Sequence, residues 1–183
     1  AWLAHSSWHG WTLADLVFPF FLLIVGVALD FSLARQTARP LGRAATVLML
    51  VRRAALLVAL GLLLNGFPDY TQLASLRVFG VLQRIALCSL AAGLIVLTTG
   101  VAAQLAITVG LLVAYWLLLT VVPVPGHGAG VLTQDGTWAA FVDGRWFAGH
   151  LYREGFDPEG LVSTLPAIAT TLLGVLAGRF LRS

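Results

Sequence analysis

The sequence predicts an all-α protein that crosses a lipid bilayer about five times. Of its 183 residues, 59% are hydrophobic and only 10% are charged, whereas soluble domains carry about 25% charged residues. The mean hydropathy is +0.92, and a helix needs about 20 apolar residues to cross the hydrocarbon core. The long apolar runs therefore indicate a polytopic transmembrane helix bundle, an integral membrane protein surrounded by the lipid bilayer.

The apolar runs define the spans in chain order. The fourth run contains no charged residue, and the second carries Arg52 and Arg53 near its start. The predicted spans are 12–33, 47–67, 78–98, 102–122 and 161–181. The connection between the third and fourth spans is short, which predicts an antiparallel pair. The 123–160 connection is too long for a plain loop, so we expect it to lie at the outer interface or to cover a cavity.

The arginines predict the orientation of the chain. If the spans alternate, seven of the 11 basic residues fall at one end of the bundle, and basic residues favour the cytoplasmic side. These seven are Arg35, Arg39, Arg43, Arg52, Arg53, Arg179 and Arg182. The amino-terminal histidines and the 123–160 connection then lie on the outer face. Because the basic residues form no dense patch, we expect no nucleic-acid partner.

Two histidines, His5 and His9, precede the first span. On a helix they would share a face, which would suit a metal ion. No third ligand lies near them in sequence, so we expect no metal. A histidine exchanges protons near neutral pH, which favours acid–base chemistry over metal binding at this position.

Charged residues inside the predicted spans are candidates for function, because hydrocarbon does not solvate them. Asp15 and Arg84 lie at similar depth in the first and third spans, and we predict that they form an ion pair. For Asp15, a first-turn carboxylate stabilised by the helix dipole is an equal alternative. Asp30, at the other end of the first span, is predicted to bind Arg35 or Arg39.

Three segments resemble one known family in the same order along the chain. They are His5–Gly26 (HSSWHGWTLADLVFPFFLLIVG), Arg77–Ala86 (RVFGVLQRIA) and Gly149–Gly178 (GHLYREGFDPEGLVSTLPAIATTLLGVLAG). The family is that of the heparan-α-glucosaminide N-acetyltransferases, which are membrane enzymes. The chain contains no P-loop, GxGxxG, CxxC or GxSxG motif, which argues against an NTPase, a dinucleotide-binding enzyme or a serine hydrolase.

The resemblance implies an acetyltransferase that takes acetyl from cytosolic acetyl-CoA and delivers it to an amino sugar or glycan amine on the outer face. It places the family's catalytic histidine on His5, its aspartate on Asp15 and its buried arginine on Arg84. His9 receives no role, because the lysosomal relative has an asparagine there. His5 would act as general base or as a transient acetyl carrier, and both remain open.

The donor would need a cationic site for its phosphates on the cytoplasmic side, with Arg43, Arg52 and Arg53 as candidates. Its pantetheine arm would pass between helices, where three small residues either leave room for it or serve helix packing; they are Gly26, Gly61 and Gly93. The family's proteins are longer than this chain. Residues 1–183 are therefore expected to be part of a single transmembrane acyltransferase domain, and activity of this piece alone is not implied.

Two alternatives compete with the acetyltransferase. A small-solute transporter would use a buried Asp15 and Arg84 without needing His5, and a structural subunit would use its polar residues only to hold helices together. Product formation that depends on a thioester separates the enzyme from both. Because many bacterial proteins belong to the family, we expect a bacterial inner (plasma) membrane; a homodimer is compatible with the sequence.

Overall fold

The computed structural model describes residues 4–37, 42–68 and 70–182, and it confirms the all-α prediction. The α-helices are α1 (Leu13–Thr37), α2 (Arg43–Gly66), α3 (Val81–Thr98), α4 (Val101–Thr120), α5 (Trp138–Trp146) and α6 (Thr164–Arg182). A 3-10 helix, Tyr70–Ser75, precedes α3, and the described ranges contain no β-strand. Five helices, α1 to α4 and α6, are long and apolar enough to cross a membrane, as predicted.

Helix ends differ from the ends of the apolar runs for local reasons. α1 continues to Thr37 and α2 begins at Arg43, because arginine and glutamine extend a helix readily beyond its apolar part. α3 begins only at Val81. The preceding residues are extended, and the Val78 amide donates to the His150 carbonyl at 3.0 Å. The chain therefore enters α3 attached to the outer connection.

α6 lies at the centre of the bundle, against α1, α3 and α4, while α2 packs on α3. α1 and α6 run parallel, with Gly174 opposite Gly26 and Gly178 opposite Val27. A Cβ atom on Gly174 would collide with the Leu23 carbonyl oxygen, so only glycine allows the two backbones to approach this closely. The GxxxG of α6 is a helix-packing motif.

The three glycines considered as room for a pantetheine arm are filled by protein. A Cβ on Gly26 would collide with the Thr171 carbonyl oxygen. One on Gly61 would collide with Oε1 of Gln83, and one on Gly93 would lie 2.7 Å from a methyl group of Leu50. These positions serve packing and leave no room for such an arm.

α4 places its polar residues inside and its apolar residues outside. Gln104 and Thr108 are fully buried, and the Thr108 hydroxyl donates to the Gln104 carbonyl at 2.8 Å. The exposed face carries large apolar side chains; they are Leu105, Val109, Leu112, Val113, Trp116 and Leu117. This arrangement suits a helix surrounded by hydrocarbon, because lipid solvates the apolar face and the polar side chains are kept away from it.

Enlarging Gly174 should destabilise the bundle. In Gly174→Ala the new methyl group would collide with the Leu23 carbonyl, so α1 and α6 would have to separate. We expect the free energy of unfolding to fall by ~1–3 kcal/mol, which would appear as a lower Tm in detergent. Gly110→Ala in α4 is the control, because its Cβ would meet nothing within 4 Å. Equal Tm values for the two variants would contradict the tight α1–α6 contact.

Candidate active site

His5 and Asp15 form a pair at the amino-terminal end of α1. Nδ1 of His5 lies 2.7 Å from Oδ1 of Asp15, and the two side chains are 77% and 26% exposed. A carboxylate only accepts hydrogen bonds, so Nδ1 carries a proton, and in the neutral ring Nε2 is then the nitrogen with the free lone pair. The histidine is thus held by one nitrogen, while its exposed ring leaves the other for proton exchange or nucleophilic attack.

Asp15 also caps the helix that carries it. Its Oδ2 accepts hydrogen bonds from the Ser6 amide at 3.1 Å, the Thr12 amide at 2.8 Å and the Thr12 hydroxyl at 3.0 Å. A carboxylate in the first turn that reaches back to the residue before the helix satisfies amides that have no helical partner. Asp15 therefore lies where a first-turn carboxylate stabilises the start of α1, and the same carboxylate also contacts His5.

His9 lies outside this pair. Residues 4–12 are not helical, so the shared helix face considered for His5 and His9 does not form. His9 instead packs edge-on against Trp8 at 6.3 Å between ring centroids. In the part of the chain that the structure describes, no group of three histidine, cysteine or acidic side chains is arranged to hold a metal ion.

Arg84 is separated from Asp15, and the predicted ion pair between them is wrong. Its guanidinium donates to the Gly160 carbonyl at 3.1 Å and to the Ser163 hydroxyl, and it lies over the Phe18 ring at 5.9 Å. The prediction was based on the similar depth of the two residues in their spans. In the structure the two side chains contact different neighbours. Arg84 is 8% exposed and joins α3 to the segment that leads into α6.

A second ionic cluster escaped the sequence analysis. Arg77 binds both carboxylate oxygens of Asp157 at 2.9 and 2.7 Å and Glu159 at 2.5 Å. Burial alone would lower the pKa of Arg77, but the hydrogen bonds and charges of the two carboxylates raise it. The partners are about 80 residues apart, so no local spacing reveals them. Their only signal was that both lie in segments that carried the family resemblance.

Asp143 is a buried carboxyl group in α5, 1% exposed. Its Oδ1 accepts the Leu161 amide at 3.0 Å, and a Cβ on Gly160 would collide with its Oδ2. Burial raises its pKa to about 6, the negative charge of Asp157 adds to the rise, and the Leu161 hydrogen bond opposes it. Asp143 thus attaches α5 to the segment that Arg84 holds.

An apolar groove between α1 and α3 opens beside His5. Its volume is about 540 Å³, and we call it the α1–α3 groove; it is lined by His5, Ala14, Val17, Phe18, Phe21, Val81, Leu82, Ile85 and Glu159. Among these described residues only His5 and Glu159 are polar, and both belong to segments outside the helices. The other lining residues come from the first turns of α1 and α3, so His5 lies beside an apolar groove at this end of the bundle.

A cationic cavity of about 520 Å³ lies at the opposite end of the bundle, among α1, α2, α3 and α6. Asp30 is 2% exposed and binds Arg182 at 3.1 Å and Arg179 at 3.8 Å. It pairs with these two arginines and not with the predicted Arg35, while the alternative, Arg39, lies outside the described residues. Three arginines and one aspartate line this inner cavity, so its net charge is positive. The arginines are Arg43, Arg179 and Arg182.

The three arginines predicted to bind donor phosphates separate into two groups. Arg43 lines the inner cavity and donates to the Leu97 carbonyl. Arg52 and Arg53 are exposed on α2 and do not line this cavity. The structure therefore brings Arg43 together with Arg179 and Arg182, which sequence reasoning had used only to orient the chain.

The raised pKa of Asp143 predicts a pH-dependent cost to stability. The folded protein binds a proton on the Asp143 carboxyl group more tightly than the unfolded chain does. The free-energy cost of ionising this group in the folded protein therefore grows from about pH 4 to about pH 6 and stays constant at higher pH. Asp143→Asn should therefore gain stability over wild type across that interval, and the gain should stay constant at higher pH. The measurement is the Tm of both proteins in detergent against pH.

Asp135 provides the control for this experiment. It is exposed in the same connection, and a hydrogen bond from the Thr133 side chain lowers its pKa. Asp135→Asn should therefore lose stability relative to wild type as pH rises, with the opposite sign. A Tm difference for Asp143→Asn that does not change with pH would contradict the burial of its charge.

Comparison with known proteins gives one consistent result. The family model for the catalytic region of heparan-alpha-glucosaminide N-acetyltransferase matches residues 3–183. The mouse enzyme of that name is 29% identical over 227 residues, covering 97% of this chain and 34% of the relative. The human enzyme is 28% identical over 229 residues with the same coverage. The chain spans about a third of the length of these curated relatives, and it belongs to the heparan-alpha-glucosaminide N-acetyltransferase catalytic family.

Proposed function

We propose that this protein is a transmembrane acetyltransferase that moves acetyl from cytosolic acetyl-CoA to an amino sugar or glycan amine on the outer face. The observation that carries the proposal is the His5–Asp15 pair, in which a carboxylate holds one nitrogen of an exposed histidine at 2.7 Å. Family membership supplies the reaction class. Four described arginines near the other end of the bundle, Arg35, Arg43, Arg179 and Arg182, support His5 on the outer face of a bacterial inner membrane.

The pair suits either route of acetyl transfer. In direct transfer, Nε2 of His5 removes a proton from the acceptor amine as the amine attacks the thioester carbonyl, and CoA leaves as the thiolate. In the covalent route, Nε2 attacks the thioester itself, CoA leaves, and the amine then displaces the imidazole. Both routes need the Nε2 lone pair, and Asp15 favours the tautomer that has it by accepting a hydrogen bond from Nδ1–H. Asp15 is therefore a positioning residue.

Arg84 contributes by holding the outer segment in place. Its hydrogen bonds to Gly160 and Ser163 fix the chain next to Glu159, which lines the α1–α3 groove with His5. Arg84 therefore acts on the site through Glu159 and the start of α6, and not by binding Asp15. We assign it a positioning role as well.

The inner cavity is the proposed site for the phosphates of the donor. Arg43, Arg179 and Arg182 provide three positive charges against the single negative charge of Asp30, and arginine binds phosphate oxygens in a fixed geometry. A donor bound there would have its nucleotide at the cytoplasmic end and its acetyl group toward His5. A second copy of the chain is not part of the proposal.

The transporter alternative loses its main support. It required Asp15 and Arg84 to form one buried binding site, but their hydrogen bonds are made to different parts of the molecule. The exposed His5 ring also has no function in a solute carrier. The structural alternative explains the Arg77–Asp157 cluster but leaves the His5–Asp15 pair unexplained.

Replacing His5 should abolish acetyl transfer. The complete gene product in detergent, given labelled acetyl-CoA and glucosamine, should form labelled N-acetylglucosamine. His5→Ala should lower the rate by about 10²–10⁴-fold, the usual contribution of an acid–base group. His127→Ala is the matched control, because His127 is exposed in the outer connection and lines neither the groove nor the inner cavity. Equal rates for the two variants would remove His5 from the mechanism.

Replacing Arg43 should weaken donor binding specifically. Because Arg43→Ala removes one of the three cations that line the inner cavity, it should raise the KM for acetyl-CoA by about tenfold and leave the acceptor KM unchanged. Arg52→Ala is the matched control, because it removes an exposed arginine of the same helix that lies outside the inner cavity. A larger effect from Arg52→Ala than from Arg43→Ala would place the donor phosphates elsewhere on α2.

A further inference from the structure

A second cavity lies at the outer end, separate from the α1–α3 groove. Its volume is about 400 Å³, and we call it the outer aromatic cavity; it is lined by Trp8, His9, Tyr115, Leu119, Leu132, Thr137, Ala139, Phe156, Asp157, Pro158 and Ser163. Its lining combines aromatic rings and polar side chains with a few aliphatic ones, whereas the α1–α3 groove is almost entirely apolar. The two cavities therefore suit chemically different ligands.

The Trp8 ring is fixed on the wall of the outer aromatic cavity. Its Nε1 donates to the Leu132 carbonyl at 2.5 Å, and the ring packs edge-to-face with Phe156 at 5.5 Å, with an interplanar angle of 78°. The residue nevertheless remains 36% exposed. A tryptophan that is fixed on two sides and open on a third is a prepared stacking surface, because its ordering cost is met before a ligand binds.

The two cavities share their dividing wall. Residues 5–9 contribute His5 to the groove and Trp8 and His9 to the outer aromatic cavity. Residues 156–159 do the same, with Glu159 in the groove and the preceding three residues in the cavity. The Arg77 hydrogen bonds to Asp157 and Glu159 hold the second of these segments. The same two short segments therefore contribute to both cavities, which places the cavity beside the His5 groove.

We propose that the outer aromatic cavity binds the amino-sugar unit of the acceptor, with Trp8 as its stacking platform. This inference rests on the proposed function, and it adds the acceptor site and the residue that selects a sugar. A hexosamine presents apolar C–H faces that pack on an aromatic ring, hydroxyl groups that bond to polar side chains, and an ammonium group attracted to aromatic faces. His9, Tyr115 and Ser163 supply polar groups, and the cavity volume lies in the range of small-ligand sites.

The location gives the two cavities distinct roles. The thioester of the donor occupies the apolar α1–α3 groove, the sugar occupies the outer aromatic cavity, and His5 lies at the wall between them. Trp8 then binds the acceptor in the ground state without touching the donor. Its removal should change acceptor affinity and acceptor KM, and it should leave the KM for acetyl-CoA unchanged.

The test compares Trp8→Ala with Trp11→Ala in the complete gene product in detergent. Trp11 lies three residues further along, is 72% exposed and lines neither cavity. Glucosamine binding is measured by titration calorimetry without acetyl-CoA, and the acceptor KM is measured with saturating acetyl-CoA. Trp8→Ala should raise both the Kd and the KM for glucosamine by about tenfold, and Trp11→Ala should change neither.

A second variant guards against a folding defect in Trp8→Ala. Ala139→Leu adds volume to the outer aromatic cavity and leaves the Trp8 side chain in place. It should weaken glucosamine binding in the same way, while elution on gel filtration stays at the wild-type position. If Ala139→Leu and Trp8→Ala both bind glucosamine with wild-type affinity, the cavity is not the acceptor site.

The outcomes separate this inference from the proposed function. Glucosamine binding that depends on Trp8, without any acetyl transfer, would support the sugar site and overturn the enzyme. Acetyl transfer with an acceptor KM that does not depend on Trp8 would keep the enzyme and overturn the sugar site. Wild-type protein that neither binds glucosamine nor acetylates it would overturn the sugar site, as would equal effects of the two tryptophan variants.

Discussion

The backbone contact between α1 and α6 determines the geometry of both ends of the bundle. Gly26 and Gly174 let the two parallel helices touch, which fixes their register. At the outer end, α1 carries Asp15, and α6 follows the segment held by Arg84. At the inner end, the same register brings Asp30 to Arg182 at 3.1 Å. A shift between these helices would therefore disturb the histidine site and the cationic cavity together.

Asp15 shows how one side chain can serve both the fold and the chemistry. Hydrogen bonds from amides at the start of α1 hold its carboxylate, and that fixed carboxylate holds His5 in turn. His5 lies in a non-helical, exposed segment, so without this bond little would define the orientation of its ring. A site held by groups that are themselves fixed keeps its geometry more closely than one on a free loop. The catalytic proposal thus depends on an ordinary helix cap.

The sequence predicted what depends on local pattern and failed where distant partners decide. The apolar runs gave the spans, because bilayer thickness sets their length, and the family motif pointed to His5 and Asp15. Depth in the membrane could not give the direction in which a side chain projects, so the Asp15–Arg84 pair was wrong. Asp30 was assigned to nearby arginines, although its partner Arg182 is 152 residues away. The Arg77–Asp157 pair was missed for the same reason.

The separation of the two charged ends limits the route of the donor. Asp15 and Asp30 are fifteen residues apart on α1, a distance of about 22 Å at 1.5 Å per residue, so in the proposed reaction a donor held at the inner cavity would reach His5 with an extended arm. The α1–α6 side is closed, because the glycines there are in backbone contact. The α1–α3 groove lies beside His5 and extends past Phe18 to Phe21. Of these two sides of α1, only the one facing α3 therefore offers the proposed arm space next to the histidine.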